Sequence, residues 1–242
     1  MDEKSHFLDL IQSNIVKYGY HVTIVNSTIE PRYIYTIGLS KSIGFELIFA
    51  GGIYYLKEDA LKIIDEIVKV LRGKNNTNSE KINLNSFGKF SLSNVEPSWG
   101  KLMMLGVFDY YETDHIKAMQ IVPDKAYYTL DTPNLSNIFD ASSEPVWKWL
   151  VYTWNYSVPE DSTVVSNINA LLGDAITEVT RWEDNEWEMF AGAGPDVKED
   201  EMRIVSLGTI LGIDKTLTPA INLDLGKGLW RESLESSWNK WG

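Results

Sequence analysis

The side chains of this sequence most able to do chemistry are carboxylates. They are densest in Glu183-Asp184-Asn185-Glu186-Trp187-Glu188 and in Asp196-Val197-Lys198-Glu199-Asp200-Glu201. From Trp182 to Glu201 there are eight acids and one lysine. Such a set could hold a hard cation, supply an acid–base pair, or present an acidic surface. A calcium loop needs a D-x-D-x-D-G order, which is missing here. A glycosidase pair needs a fixed separation in space, which spacing along the chain does not supply. In a strand, Trp187 and Met189 share one face while Glu186, Glu188 and Phe190 share the other. Two glutamates beside an exposed aromatic suit the capture of Lys and Arg; the plainer alternative is a solvated acidic face with Trp187 in the core. The expected contact set is Glu183, Asp184, Glu186, Trp187, Glu188, Asp196, Glu199 and Asp200, with aromatics as anchors and acids as steering charges.

Other chemistry is poorly represented. The three histidines, His6, His21 and His115, stand in no zinc-ligand spacing and read as ordinary surface or core residues. There is no cysteine, which removes disulfides, thiolate metal sites and a thiol nucleophile. No G-x-S-x-G elbow is present. Neither Thr36-Ile37-Gly38-Leu39 nor Gly192-Ala193-Gly194-Pro195 is a phosphate-binding glycine loop, and Pro195 lacks the N–H that a phosphate cradle uses. The expected role is therefore binding rather than catalysis, with no metal and no cofactor.

Charge narrows the partner class. The chain of 242 residues has a net charge of −12. Residues 159–242 hold 16 acids against 7 Lys and Arg, so most of the excess lies in the last third. Nucleic acid and anionic membranes both need a positive footprint, so neither is expected as a partner. The Met1–Gln12 stretch has no basic segment followed by a long apolar run, and the expected location is the cytoplasm.

The elements that must position these residues read as follows. Ser5 caps a helix ending at Gly19. Tyr20–Val25, Arg32–Leu39 and Phe45–Gly51 read as strands. Leu56–Gly73 is the clearest helix, with Ala60, Ile63, Ile64, Ile67, Val68 and Leu71 as its apolar stripe and Arg72 in its last turn. A polar loop over 74–83 follows, then a strand near 87–96, a short helix over 99–112 and a strand near 115–124. Ser162–Leu172 is ambiguous between strand and helix. Ala175–Trp182 and Glu186–Gly192 read as a hairpin, and Met202–Asp214 as a strand entering a short helix. Leu217–Ser233 reads as extended. The expected fold class is α+β, in two α+β domains, each a mostly antiparallel sheet with few helices. The domains are 1–135 and the acidic 159–242, joined by a Pro- and Ser-containing linker region at 136–158.

The first domain resembles the bacterial family called domain of unknown function 4262. The residues that carry this are Tyr35-Thr36-Ile37-Gly38-Leu39, then Glu46-Leu47-Ile48, then Gln120, Val122, Pro123 and Asp124; Phe45 stands where that family tends to have proline. The last third looks like the group of domain of unknown function 2185, through Ile176–Gly192, Arg203–Asp214 and Leu225–Glu232. That group is associated with immunity proteins of bacterial toxin systems, so this resemblance implies a protein that binds and neutralises a toxin, plausibly a basic nuclease. Neither resemblance carries a catalytic residue. A second expectation, from another functional class, is an enzyme or small-ligand binder with a pocket at Tyr35, Thr36, Gly38 and Glu46.

Overall fold

In a computed structural model, the protein is described over residues 3–73 and 81–241. Its N-terminal part runs α1 (Glu3–Tyr18), β1 (His21–Val25), β2 (Tyr33–Ile37), α2 (Ser40–Ile43), β3 (Glu46–Ala50), α3 (Lys57–Gly73), β4 (Ile82–Leu84), β5 (Gly88–Asn94), α4 (Pro97–Met103), α5 (Leu105–Tyr111) and β6 (Ala118–Pro123). The C-terminal part runs β7 (Thr163–Asn167), α6 (Ile168–Leu172), β8 (Glu178–Arg181), β9 (Glu186–Phe190), β10 (Met202–Ser206), α7 (Leu207–Ile213), a 3-10 segment (Lys215–Asn222), β11 (Lys227–Trp230) and β12 (Asn239–Trp241).

Each part is built on a six-stranded sheet, in the orders β1-β2-β3-β6-β5-β4 and β10-β7-β9-β8-β11-β12. One pair in each is parallel, β3 with β6 and β7 with β9, and the others are antiparallel. The α+β class is as the sequence indicates. No described helix is long and apolar enough to cross a membrane.

The two sheets are covered differently. Alternation along β2 and β3 sends Ile34, Leu47 and Phe49 to one face, where they meet the apolar stripe of α3. Tyr33, Tyr35, Ile37 and Ile48 go to the other, against Ile11 of α1 and Met103 and Val107 of α4 and α5. The first sheet is thus buried on both sides, and its strands β2 and β3 are buried at every position. The second sheet packs Val164, Val179, Trp187, Met189, Val205 and Leu229 against α7 and the 3-10 segment, while on its opposite face the short 3-10 turn Gly194–Asp196 packs on β9 at Phe190.

Local departures from the sequence reading have local causes. Ser162–Leu172 is both things in turn, because Asn167 stays extended and its amide clamps Ala191, leaving Ile168 to start α6. The expected helix at 99–112 breaks at Met104 into α4 and α5. Leu217–Ser233 is not extended throughout: the Asp214 carboxylate accepts from Thr216 N–H at 2.9 Å and starts the 3-10 segment. Strand β4, three residues long, is too short for an alternation to show. Of the expected loop at 74–83, residues 74–80 lie outside the described residues.

Segment 136–158 holds no strand, yet Trp147 and Trp149 are buried, donating to Asp131 O at 2.9 Å and to Gly208 O at 3.2 Å. Further bonds join the two parts directly. Arg203 donates to Ile53 O and Tyr54 O at 3.2 and 3.0 Å, and the Ser206 hydroxyl donates to Ile29 O at 2.5 Å.

Candidate protein-docking surface

The acidic stretch is organised by the β8–β9 hairpin. Register places Glu178 opposite Phe190, Val179 opposite Met189, Thr180 opposite Glu188 and Arg181 opposite Trp187. Trp187 therefore faces the core, where it is 1 % exposed and its indole N–H donates to Ala220 O at 3.4 Å. The expectation that Trp187 anchors a partner is corrected: it anchors the hairpin to the 3-10 segment. Phe190 is buried too, although it lies on the outer face, because the loop through Gly194 folds over its ring.

The turn between the strands is held by Arg181, which donates to Glu183 O and Asp184 O at 3.2 and 2.8 Å, while its guanidinium lies 4.8 Å from the Trp187 ring centre. Its charge is spent on carbonyls, and the carboxylates of Glu183 and Asp184 are left in solvent. At the other end of the hairpin, the loop after β9 presents exposed Asp196, Glu199 and Asp200. Arg203 donates there to Asp200 O, and Lys198 pairs with Glu201 at 3.7 Å. No described lysine or arginine pairs with Glu183, Asp184, Glu186, Glu188, Asp196, Glu199 or Asp200. The predicted acids thus form two exposed groups at opposite ends of β9, with Glu186 and Glu188 on the strand between them.

Strand alternation sorts charge by face. Following the register across the sheet, the outer face carries Glu178, Glu186 and Glu188 and no cation. The charged strand residues of opposite sign, Arg181, Arg203, Lys227 and Lys240, all fall on the other face. The outer face also carries three exposed indoles that the sequence reading did not single out: Trp182, Trp230 and Trp241, at 49, 43 and 36 % exposure. Trp230 stands opposite Glu178, and Trp241 opposite Gly228. Alternation in Thr177–Trp182 could have placed Glu178 with Trp182; the Glu178–Trp230 pairing depends on which strands meet and has no sequence signal.

The candidate pocket at Tyr35, Thr36, Gly38 and Glu46 is a closed, packed site. Glu46 and Thr36 have no exposed surface, and Tyr35 is buried, which pushes its hydroxyl above the ordinary phenol range. The Glu46 carboxylate accepts from the Thr36 hydroxyl (2.7 Å), from backbone N–H of Gly38 (3.0 Å), Leu39 (3.3 Å) and Ser40 (2.9 Å), and from the Tyr111 hydroxyl (2.7 Å). Five donors exceed the roughly four lone-pair sites of a carboxylate, so no acceptor site is left open. Gly38 is glycine because its φ is +112° and a Cβ would lie 2.9 Å from Ile15. Glu46 is a buried clamp on the β2–α2 corner, with nothing left for a ligand.

A cleft of about 310 Å³ elsewhere in this part is lined by Glu96, Phe108, Asp114, His115 and Lys117 among others. Glu96 is committed as the N-cap of α4, accepting from Ser98 N–H at 2.8 Å, and the His115 side chain is 87 % exposed beside Asp114. His21 is buried, which lowers its pKa, and its ring lies 2.9 Å from the Asn14 amide. Among the described residues no three His, Asp or Glu side chains group so as to hold a metal ion.

Residues 14–126 match the profile of the family described as Domain of unknown function (DUF4262), as the motifs of the first part indicate. This match does not extend to the C-terminal part, and the resemblance there to domain of unknown function 2185 is not confirmed. No curated protein and no solved structure matches the chain.

Proposed function

We propose that this chain is a binding protein of the immunity type, which captures a basic protein toxin on the outer face of its C-terminal sheet and neutralises it by stoichiometric occlusion. The observation that carries the reading is the sorting of charge: three glutamates and no cation on the outer sheet face, flanked at both ends of β9 by exposed acids, Glu183, Asp184, Asp196, Glu199 and Asp200, that form no ion pair among the described residues. Unpaired carboxylates at this density repel one another, and a cationic partner relieves that repulsion while steering encounter. A nuclease fits, because nucleases are cationic where they hold phosphate. The protein acts in this reading in the cytoplasm, by binding and not by catalysis.

The test is affinity capture with the tagged protein from its native lysate at low and high salt, repeated with Glu186→Lys/Glu188→Lys. The expected result is one stoichiometric basic protein, encoded beside this gene, weakened by salt and lost with the double variant. A partner retained equally by the variant would overturn the assignment of the surface. Recovery of no basic partner would overturn the function.

A further inference from the structure

The outer face of the second sheet carries indoles as well as carboxylates, and the two are interleaved. Trp230 on β11 is the cross-strand neighbour of Glu178 on β8. Trp241 on β12 is opposite Gly228, which is itself opposite Thr180, and Thr180 is opposite Glu188. Trp182 continues the alternation of β8 beyond Thr180, and its backbone N–H donates to Glu186 O at 3.0 Å. Three indoles and three glutamates therefore share one face; the loop through Gly194 covers its Phe190 end, where the Gly194 N–H donates to the Glu178 carboxylate at 2.9 Å.

Three other indoles of the chain each take a cation of this protein: Trp187 and Trp238 take an arginine, Arg181 at 4.8 Å and Arg231 at 4.2 Å from the ring centre, and Trp149 takes Lys148 at 4.4 Å. Among the described residues no cation lies over Trp182, Trp230 or Trp241. A planar guanidinium can stack on an indole face and at the same time direct its N–H fork at a neighbouring carboxylate; a lysine ammonium offers a point charge and no plane. A second copy of this face is a poor occupant, since it would place glutamates on glutamates.

We infer that the outer face selects arginine over lysine, and that the partner contacts it through arginine side chains seated between Trp230 and Glu178 and between Trp241 and Glu188. This rests on the docking reading of the face and specifies the partner's contact chemistry. The face then distinguishes a protein that presents arginines from one of equal charge that presents lysines.

The experiment uses the full chain, nitrogen-labelled, titrated with oligo-arginine and oligo-lysine peptides of equal length, and follows the indole N–H signals by NMR. Expected is tighter binding of oligo-arginine, by at most about five-fold per engaged ring, the upper size of an exposed cation–π contact. The Trp230 and Trp241 signals should shift, and those of buried Trp99 and Trp187 should not. Trp230→Leu keeps an apolar side chain but removes the ring, and should narrow the preference by lowering oligo-arginine affinity more than oligo-lysine affinity. Equal affinities for the two peptides, both reduced by Glu178→Gln/Glu188→Gln, would overturn the arginine preference and leave the acidic face standing. Binding of neither peptide, or binding unaffected by the glutamine variant, would overturn the docking face itself.

Discussion

The indole of Trp241 fills the space that a side chain on Gly228 would need: a Cβ there would lie 2.2 Å from the Trp241 Cε2. The two are cross-strand partners, so the missing side chain on β11 lets β12 fold its indole across the sheet. Thr180, the other neighbour of Gly228, is 3 % exposed although it lies on the outer face. One glycine thus determines where an indole of the candidate surface lies.

Gly228→Ala should displace Trp241 and loosen β12. Overpacking of this kind costs about 1–3 kcal/mol. Hydrogen exchange should show lost protection confined to β11 and β12, with the first sheet unchanged. Unaltered exchange in Asn239–Trp241 would mean that the indole is not held by its seat on Gly228.

Reversing charge on the outer face should separate binding from stability. Glu186→Lys/Glu188→Lys replaces one exposed and one half-buried carboxylate that have no ion-pair partner among the described residues. Thermal unfolding should stay within about 0.5 kcal/mol per site of the parent, the usual range for surface changes. Capture of a basic partner should fall sharply. Trp187→Ala is the contrasting variant: it empties a core position and should cost about 3–5 kcal/mol in denaturant unfolding. A Trp187→Ala protein as stable as the parent would contradict the placement of that ring.

Glu46→Gln should destabilise the N-terminal part by about 2–3 kcal/mol, since the new amide group turns donors toward donors in a site without water access. Thr36→Val removes one of the five donors and should cost less. Urea titration of both variants checks the order. A neutral Glu46→Gln would show that the carboxylate is not the clamp of the β2–α2 corner.

Asp131 gives the molecule a pH dependence of definite sign. Burial raises its pKa, with Arg32 opposing in part. Because the folded value lies above the unfolded value of about 3.9, the favourable contribution of this group is complete below the unfolded pKa. It is lost as pH rises through the raised folded value. Asp131→Asn removes that loss, so its gain in melting temperature over the parent should grow as pH rises from below the unfolded value through the raised folded one. Parallel melting curves for the two proteins across that range would refute the assignment.

Much of the fold was legible because its signals are local. Amphipathic spacing places α3, β-branched alternation places β1, β2 and the β8–β9 hairpin, and glycines end the helices. The acidity of the last third and the alternation of Trp187 with Glu186 and Glu188 are likewise properties of the chain alone. What the chain alone left open was which face turns inward. A strand pattern is symmetric between its two faces until a helix covers one of them, and α7 with the 3-10 segment takes the face of Trp187. That removed a predicted contact residue and left Glu186 and Glu188 outside. Thr36 and Glu46 read as pocket residues because they are polar within an apolar run. Only the fold of β2 against β3, and the arrival of Tyr111 from α5, brings five donors to one carboxylate and closes the site. The pairing of Glu178 with Trp230 joins residues 52 positions apart, and no short-range rule reaches it. Sequence determined the elements and their charge; long-range strand order decided which charges and rings share a surface, because register is set by packing across the sheet.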